Sequence, residues 1–290
     1  MKFRKFTALL TALILLCTAA HAEAKEDPER IPQETLIPEN IVIPLDLDGD
    51  GLEEKVSWKQ VWADEYTQKC VVTVITNENA ILTYSPEFEY TVGVYASDLD
   101  SDGRTEFLIS GDLASSDYIT VCLHLFNGRL EPALFADCSR TNYNRGYDKW
   151  GYGMVTAIDG NRVTLSGSQD ILGTWFGERT FTLADTGLFE FDDDGRWIRD
   201  PSESLGDMWE YASLTLAQAL GCTMPNGTSA ILPAGTRLMI IASDKQTAEF
   251  ITDKGMHGTL NIYPDEARGW GYCVDSKPEE EVFVYVPYYD

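Results

Sequence analysis

Short apolar runs separated by turn residues recur along the chain, and this pattern predicts strands. Residues 70–75 and 118–123 are two such runs, each close to an ordinary strand length. Turn residues stand between further runs, and the pair Asn127 and Gly128 is typical of a two-residue hairpin. Because segments of this kind dominate the chain, we expect a mainly β protein.

Helical periodicity is scarce in this sequence. The best helix candidate is the segment 213–220, which Gly221 is placed to cap. The same segment alternates Leu214 and Leu216 with polar neighbours, which fits a strand equally well. Both structures therefore stay open for this segment.

A long apolar run at residues 7–17 follows a basic opening. It is too short to span a bilayer, and small residues follow it. We predict a secretory signal peptide at 1–22, cleaved after Ala22 or, as the second choice, after Ala24. The stretch 23–40 is rich in Pro and Glu without periodicity and predicts a linker. The mature protein is then secreted, or periplasmic in a Gram-negative cell, without a membrane span.

Two acidic segments share the pattern D-x-D-x-D-G-x-x-E, loop 1 at residues 46–54 and loop 2 at residues 98–106. Alternate carboxylates on a tight turn converge on one point, and their mutual repulsion favours a bound cation. Ca²⁺ is a hard ion that takes roughly six to eight oxygen ligands in irregular geometry. The glycine at the sixth position permits the sharp turn. We predict one Ca²⁺ site in each loop.

The rest of the pattern distinguishes these loops from an EF-hand. An EF-hand closes its ligand shell with a glutamate at position twelve, where loop 1 has Ser57 and loop 2 has Ile109. The carboxylate stands at position nine instead. The predicted ligands are the side chains at positions one, three, five and nine and the backbone carbonyl at position seven, namely Asp46, Asp48, Asp50, Leu52 and Glu54 in loop 1 and Asp98, Asp100, Asp102, Arg104 and Glu106 in loop 2.

This arrangement resembles the calcium loops of FG-GAP and VCBS repeats, which form the blades of integrin-type propellers. Cys70 and Cys122 occupy equivalent positions 52 residues apart, as do Tyr66 and Tyr118. The resemblance implies a calcium-binding β domain over residues 41–205. A closed propeller has about four or more blades, and this segment holds roughly three. We therefore expect a partial, propeller-like fan, with a β-sandwich as the alternative.

A second module is predicted at residues 212–290, where several short strands alternate with turns and suggest a small barrel. The Leu-Pro-Ala-Gly-Thr lead into a strand at 232–236 and the turn at 254–258 resemble bacterial SH3-like modules. That resemblance implies binding of cell-wall peptides or other proteins. Cys222 and Cys273 bracket the module and are candidates for a disulfide.

Two other segments predict turn or loop structure. The run Asp-Asp-Asp-Gly at 192–195 indicates a turn, because consecutive aspartates cannot all face one centre. The polar and aromatic stretch 141–152 lacks strand alternation and predicts a long surface loop. Its aromatic side chains, Tyr143 among them, are our candidate for a ligand surface, and a core role for Trp150 is the alternative.

Charge and motif content narrow the function. Loss of the signal peptide changes the formal net charge from −25 to −28, because the peptide holds three basic residues and no acids. Such an acidic surface repels nucleic acid and anionic membranes. The sequence has no H-E-x-x-H, G-x-S-x-G or P-loop motif, so we do not expect an enzyme.

We therefore predict a secreted bacterial calcium-binding β-repeat protein with a non-catalytic binding or adhesion role at the cell surface. Its expected partner is an extracellular protein or glycan, and its expected cofactor is Ca²⁺. The alternative function is that of an extracellular hydrolase, or of an accessory module through which one binds carbohydrate or peptidoglycan.

Overall fold

A computed structural model describes residues 30–65, 67–114, 116–136, 147–192, 195–199, 209, 212–244 and 246–288. The chain divides into two compact units, Met1–Arg30 and Ile31–Asp290. The predicted signal peptide lies outside the described residues, and every strand belongs to the second unit. No helix among the described residues is long and apolar enough to cross a membrane.

Strands make up most of the second unit, which confirms the mainly β class. The first twelve are β1 (Ile43–Leu45), β2 (Glu54–Trp62), β3 (Gln68–Ile75), β4 (Ile81–Tyr84), β5 (Glu87–Phe88), β6 (Tyr90–Ser97), β7 (Glu106–Asp112), β8 (Tyr118–Phe126), β9 (Arg129–Pro132), β10 (Leu134–Ala136), β11 (Tyr147–Asp148) and β12 (Gly151–Tyr152). The others are β13 (Met154–Asp159), β14 (Arg162–Asp170), β15 (Thr174–Leu183), β16 (Leu188–Phe191), β17 (Trp197–Ile198), β18 (Leu214–Thr215), β19 (Leu220–Thr223), β20 (Ser229–Leu232), β21 (Arg237–Ser243), β22 (Thr247–Thr252), β23 (His257–Pro264), β24 (Tyr272–Val274) and β25 (Lys277–Pro278). The helical elements that lie wholly within the described residues are a 3₁₀ turn (Gln33–Thr35) and α1 (Glu279–Val282).

Three sheets are formed from these strands. The first has the order β1-β2-β3-β4, with β5 also on β3, and the second has the order β12-β8-β7-β6, with β9 also on β8. The third runs from β11, β10, β16 and β15 through β17 to β21, β22, β23, β19 and β20. Within the part of the chain that the structure describes, β10 and β16 are the one parallel pair.

The second sheet lies between two hydrophobic cores. Its strand β7 is buried along its whole length. Phe107 and Ile109 belong to a core shared with Val56 of the first sheet, whereas Leu108 packs in a core with Phe181 of the third sheet. Successive residues of one strand therefore serve opposite faces. The architecture is sandwich-like, which was the alternative to the propeller-like fan.

The predicted repeat holds for the order of elements but not for strand register. Each acidic loop leads into a strand that begins at its ninth-position glutamate. Cys70 pairs with Gln60 in the first hairpin. Cys122 pairs with Leu108 and not with the residue equivalent to Gln60, so the second hairpin has a different register. Tyr66, the other repeated position, lies outside the described residues.

The C-terminal strands extend the third sheet, and among the described residues they do not close into a barrel. The connection is β17, which pairs with β15 on one side and with β21 on the other. The closed SH3-like barrel is therefore absent from the described strands. The predicted domain boundary between 205 and 212 falls where Trp209 alone is described, and the division into domains stays a prediction.

The segment 213–220 is extended at residues 214–216 and again at Leu220, with a bend at 217–218 between them, and it contains no helix. Leu214 begins β18, and Leu216 forms an isolated bridge with Phe283. Both leucines, together with Leu220, are buried in the same core. Burial at even-numbered positions is the pattern of a strand, so packing outweighs the helical propensity of the leucine and alanine residues.

The cysteines that the structure describes are buried free thiols: Cys70, Cys122, Cys222 and Cys273. The predicted Cys222–Cys273 disulfide is therefore wrong. The two residues lie on β19 and β24, which flank β23 on opposite sides. Strands that flank a third are about 9–10 Å apart, beyond the Cα separation of about 7 Å that a disulfide spans. Cys138 lies outside the described residues.

The aromatic stretch 141–152 is not a loop throughout. Its last part contains β11 and β12, while residues 141–146, with Tyr143, lie outside the described residues. Trp150 and Tyr152 pack against the hydrophobic core between the first and second sheets. Trp150 is partly buried, so this contact favours the core role, and its use in a ligand surface stays a prediction.

A buried carboxyl group joins α1 to the last described residues. Glu279 is 1% exposed and accepts hydrogen bonds from the Tyr288 hydroxyl at 2.8 and 2.9 Å. Gly271 leaves room for it, because a Cβ there would lie 2.5 Å from Glu279 Oε1. Burial raises the pKa of Glu279 to about 7. Hydrogen bonds from the Tyr288 hydroxyl and the Tyr272 backbone oppose this shift, as Arg268 does to a smaller extent, and the charge of Glu280 adds to it.

This raised pKa predicts a stability that falls with rising pH. The folded protein keeps the Glu279 proton up to about pH 7, whereas the unfolded chain releases it at about pH 4.3. The stabilising contribution is thus complete below the unfolded pKa and is lost as the pH rises through 7. In urea unfolding, we expect Glu279→Gln to gain about 1–3 kcal/mol over the wild type between pH 5 and pH 8.

Glu281→Gln is the matched control for this prediction, because Glu281 is an exposed acid of the same helix, whereas the charge of Glu280 itself contributes to the raised pKa of Glu279. The difference in free energy of unfolding between this control and the wild type is expected to change little between pH 5 and pH 8. A pH-independent effect of Glu279→Gln would contradict the assignment of the pH dependence to Glu279.

Candidate metal centre

Each acidic loop connects two antiparallel strands. Loop 1 joins β1 to β2, and loop 2 joins β6 to β7. The ninth-position glutamates, Glu54 and Glu106, pair across the hairpins with the last residues of the preceding strands. The residue after the first aspartate is buried in both loops, as Leu47 and Leu99. The sheets and these leucines therefore hold both ends of each acidic turn.

Loop 1 folds around its first aspartate. Asp46 accepts the backbone N–H groups of Gly49 at 2.8 Å and Gly51 at 2.9 Å, one on each carboxylate oxygen. The next two aspartates each accept the N–H two residues further on, at 3.2 and 2.7 Å. Both glycines have positive φ, +75° and +82°, which residues with a Cβ rarely adopt.

Loop 2 has the same fold with one added ion pair. Asp98 accepts the N–H groups of Asp102 and Gly103, each at 3.1 Å. Asp102 in turn accepts the Arg104 N–H at 2.8 Å. The Arg104 Nε also lies 3.6 Å from the Asp102 carboxylate. The two turns share the N–H donors at positions six and seven, but the first aspartate also accepts the N–H of Gly49 in loop 1 and that of Asp102 in loop 2.

Three carboxylates converge in each loop, with one oxygen of each within 4.8 Å of the others. The two clusters are Asp46, Asp48 and Asp50 in loop 1 and Asp98, Asp100 and Glu106 in loop 2. Either cluster could hold a metal ion. Of the predicted side-chain ligands, Glu54 and Asp102 lie outside these clusters. The carbonyl groups of Leu52 and Arg104 remain predicted ligands.

The ninth-position glutamates are the most buried acids of the loops, with Glu54 2% and Glu106 5% exposed. In both, Oε2 accepts the N–H of the buried leucine, Leu47 at 3.0 Å and Leu99 at 2.9 Å. Burial raises the pKa of Glu106 to about 7; the Leu99 N–H opposes this shift and the loop aspartates add to it. Burial also raises the pKa of Asp100. A bound cation would favour the charged form of both acids.

Asn77 is a site residue that sequence reasoning missed. It lies in the turn between β3 and β4, and its Nδ2 donates a hydrogen bond of 2.7 Å to Glu54 Oε1. Asn77 stands 23 positions from Glu54 and belongs to no acidic motif. Its role follows from the pairing of β2 with β3, which brings the turn beside the start of β2.

The two loops are in contact with each other. A Cβ on Gly49 of loop 1 would lie 3.2 Å from Cγ of Arg104 and 3.5 Å from the carbonyl oxygen of Gly103, both in loop 2. At Gly51 nothing lies within 4 Å. Gly49 therefore serves the close approach of the loops as well as the turn.

Loop 2 borders a cavity of about 360 Å³, within the range of about 300–1,000 Å³ that small-molecule sites occupy. Its charged and titratable lining comprises Asp100, Asp102, Arg104, Glu106, His124, Glu131 and Asp185. Burial lowers the pKa of His124, so its imidazole is neutral at neutral pH. A cavity with this excess of acids favours cations over anions.

Replacing Gly49 by alanine tests the contact between the loops. At both Gly49 and Gly51 the positive φ makes an alanine unfavourable by about 1–2 kcal/mol. Gly49→Ala also places its Cβ against Arg104, 3.2 Å from Cγ. In urea unfolding with chelator present, we expect Gly49→Ala to destabilise the protein more than the control Gly51→Ala. Equal losses would contradict a contact that contributes to stability.

Comparisons with known proteins identify no relative of this chain. No family model, no curated protein and no solved structure matches this chain. The resemblance to FG-GAP and VCBS repeats therefore depends on the residues of loops 1 and 2 alone, and membership of that family stays a prediction.

Proposed function

We propose that this is an exported, calcium-stabilised β protein with a non-catalytic binding or adhesion role at a bacterial surface. The observation that carries the proposal is the convergence of three carboxylates within 4.8 Å in each of two strand-connecting loops. Every side chain in these clusters offers oxygen, the ligand type of the hard cations Ca²⁺ and Mg²⁺. The irregular turn suits Ca²⁺ better, because Mg²⁺ demands near-octahedral geometry.

In the proposed sites the loop residues do two things. The aspartates and Glu106 supply charge and oxygen ligands. The backbone N–H groups hold the aspartates in place before any ion arrives, as between Gly51 and Asp46 at 2.9 Å. Calcium supplies the charge that offsets the repulsion among the carboxylates. Because each loop links two strands of a sheet, binding free energy adds to the free energy of unfolding.

A binding role is supported by the acidic composition and by exposed apolar side chains. The formal net charge of −25 keeps the protein soluble and favours basic or neutral partners over nucleic acid. Trp62 of β2 and Ile81 of β4 are 67% and 69% exposed on the first sheet. They lie at opposite ends of β3, opposite Gln68 and Ile75, so they would contact a partner at two separate points and not as one patch.

Calcium is expected to raise the melting temperature of the purified protein, and a chelator such as EGTA to lower it again. A site with free Ca²⁺ at about a hundred times its Kd stabilises the fold by about 2.7 kcal/mol. Asp100→Ala removes a member of the loop 2 cluster, so its calcium-dependent shift should be smaller than that of the wild type. Calorimetric melting with and without Ca²⁺ measures both effects.

Asp253→Ala is the control, because this exposed turn residue lies outside both loops and its loss removes the same unit of charge. Its shift with Ca²⁺ should match that of the wild type. If neither Ca²⁺ nor the chelator changes the melting temperature, the proposed function is contradicted. An equal shift with Mg²⁺ would reject the choice of ion and keep the metal site.

A further inference from the structure

The two loops carry the same pattern, yet their buried glutamates have different partners. Both oxygens of Glu54 are engaged, Oε2 by the Leu47 N–H at 3.0 Å and Oε1 by the Asn77 amide at 2.7 Å. Glu106 uses Oε2 alone, which accepts the Leu99 N–H at 2.9 Å. No described residue donates a hydrogen bond to its Oε1.

This difference has a consequence because Glu106 is only 5% exposed. Its Oε1 is not fully enclosed, and Glu106 lines the cavity beside loop 2, so a cation that enters this cavity can satisfy the oxygen that lacks a donor. Glu106 places an oxygen within 4.8 Å of oxygens of Asp98 and Asp100, so one cation can satisfy all three acids. In loop 1 the Asn77 amide already performs that task for Glu54, and the cluster consists of the three aspartates alone.

We propose that the two loops are unequal cation sites, and that Asn77 sets the difference. The proposal rests on the calcium binding proposed above. Loop 2 is the tight site, held by Asp98, Asp100 and Glu106. Loop 1 is the weak site, because Asn77 keeps the carboxylate of Glu54 engaged and away from the ion. Asn77 is thus a positioning residue for loop 1, although it contributes no ligand.

Calorimetric titration of CaCl₂ into the metal-stripped protein tests the inequality. The wild type should show two classes of sites with Kd values at least about tenfold apart, which corresponds to one hydrogen bond to a charged group. Glu106→Gln and Glu54→Gln are a matched pair of isosteric changes. The first should weaken the tight class by about tenfold or more, and the second should leave that class unchanged.

Asn77→Ala tests the positioning role directly. Without the amide, Oε1 of Glu54 becomes available to an ion in loop 1, and the weak class should tighten by about tenfold. The tight class should not change. Combining Asn77→Ala with Glu54→Gln should abolish the gain, because the released oxygen then belongs to a neutral side chain. A melting curve in chelator verifies that each variant is folded.

The outcomes separate this proposal from the function on which it rests. If the wild type binds no Ca²⁺, the proposed function fails and the inequality fails with it. If the wild type binds two ions with equal affinity, or if both glutamine variants weaken binding equally, calcium binding stands and the inequality is overturned. Should Glu106→Gln not fold, an unchanged weak class in Asn77→Ala overturns the role of Asn77.

Discussion

A hydrogen bond from the backbone N–H of a buried leucine to a buried glutamate holds each acidic loop, and both candidate sites depend on it. Leu47 donates to Glu54 and Leu99 donates to Glu106, at 3.0 and 2.9 Å. The bond joins the second residue of the loop to the ninth, so it closes the turn across the carboxylates. It can form because the leucine lies in the core and the glutamate begins the next strand. The bond adds to the backbone N–H groups that hold the first aspartate of each turn.

The sandwich buries Glu106, the glutamate that ends loop 2. Strand β7, which begins at Glu106, is buried on both faces because the second sheet lies between two cores. Burial in turn raises the pKa of Glu106 to about 7, and the charges of the neighbouring aspartates add to the shift. The same layering that stabilises the fold thus concentrates unfavourable charge at this loop. A divalent cation is the natural compensation, because it interacts with all three carboxylates at once.

Contact between the loops makes the two sites parts of one structure. Gly49 of loop 1 faces Gly103 and the side chain of Arg104 in loop 2. Arg104 also lies 3.6 Å from Asp102, so one cationic residue stands between two acidic turns. Ordering of either loop therefore restricts the other.

The sequence by itself determined the strand-rich class and the two acidic turns, because both follow from local chemistry: apolar runs between turn residues, and alternating carboxylates with a glycine that bends the backbone. Even the choice at 213–220 was limited in advance to helix or strand.

Tertiary structure alone decided which residues meet. It joined the C-terminal strands to the third sheet through β17, kept Cys222 and Cys273 apart, and brought Asn77 to Glu54. These outcomes depend on the order of strands and on their register, which local sequence patterns do not encode. The two loops share one sequence pattern but differ in structure for the same reason, because the neighbours of each loop depend on strand order and register.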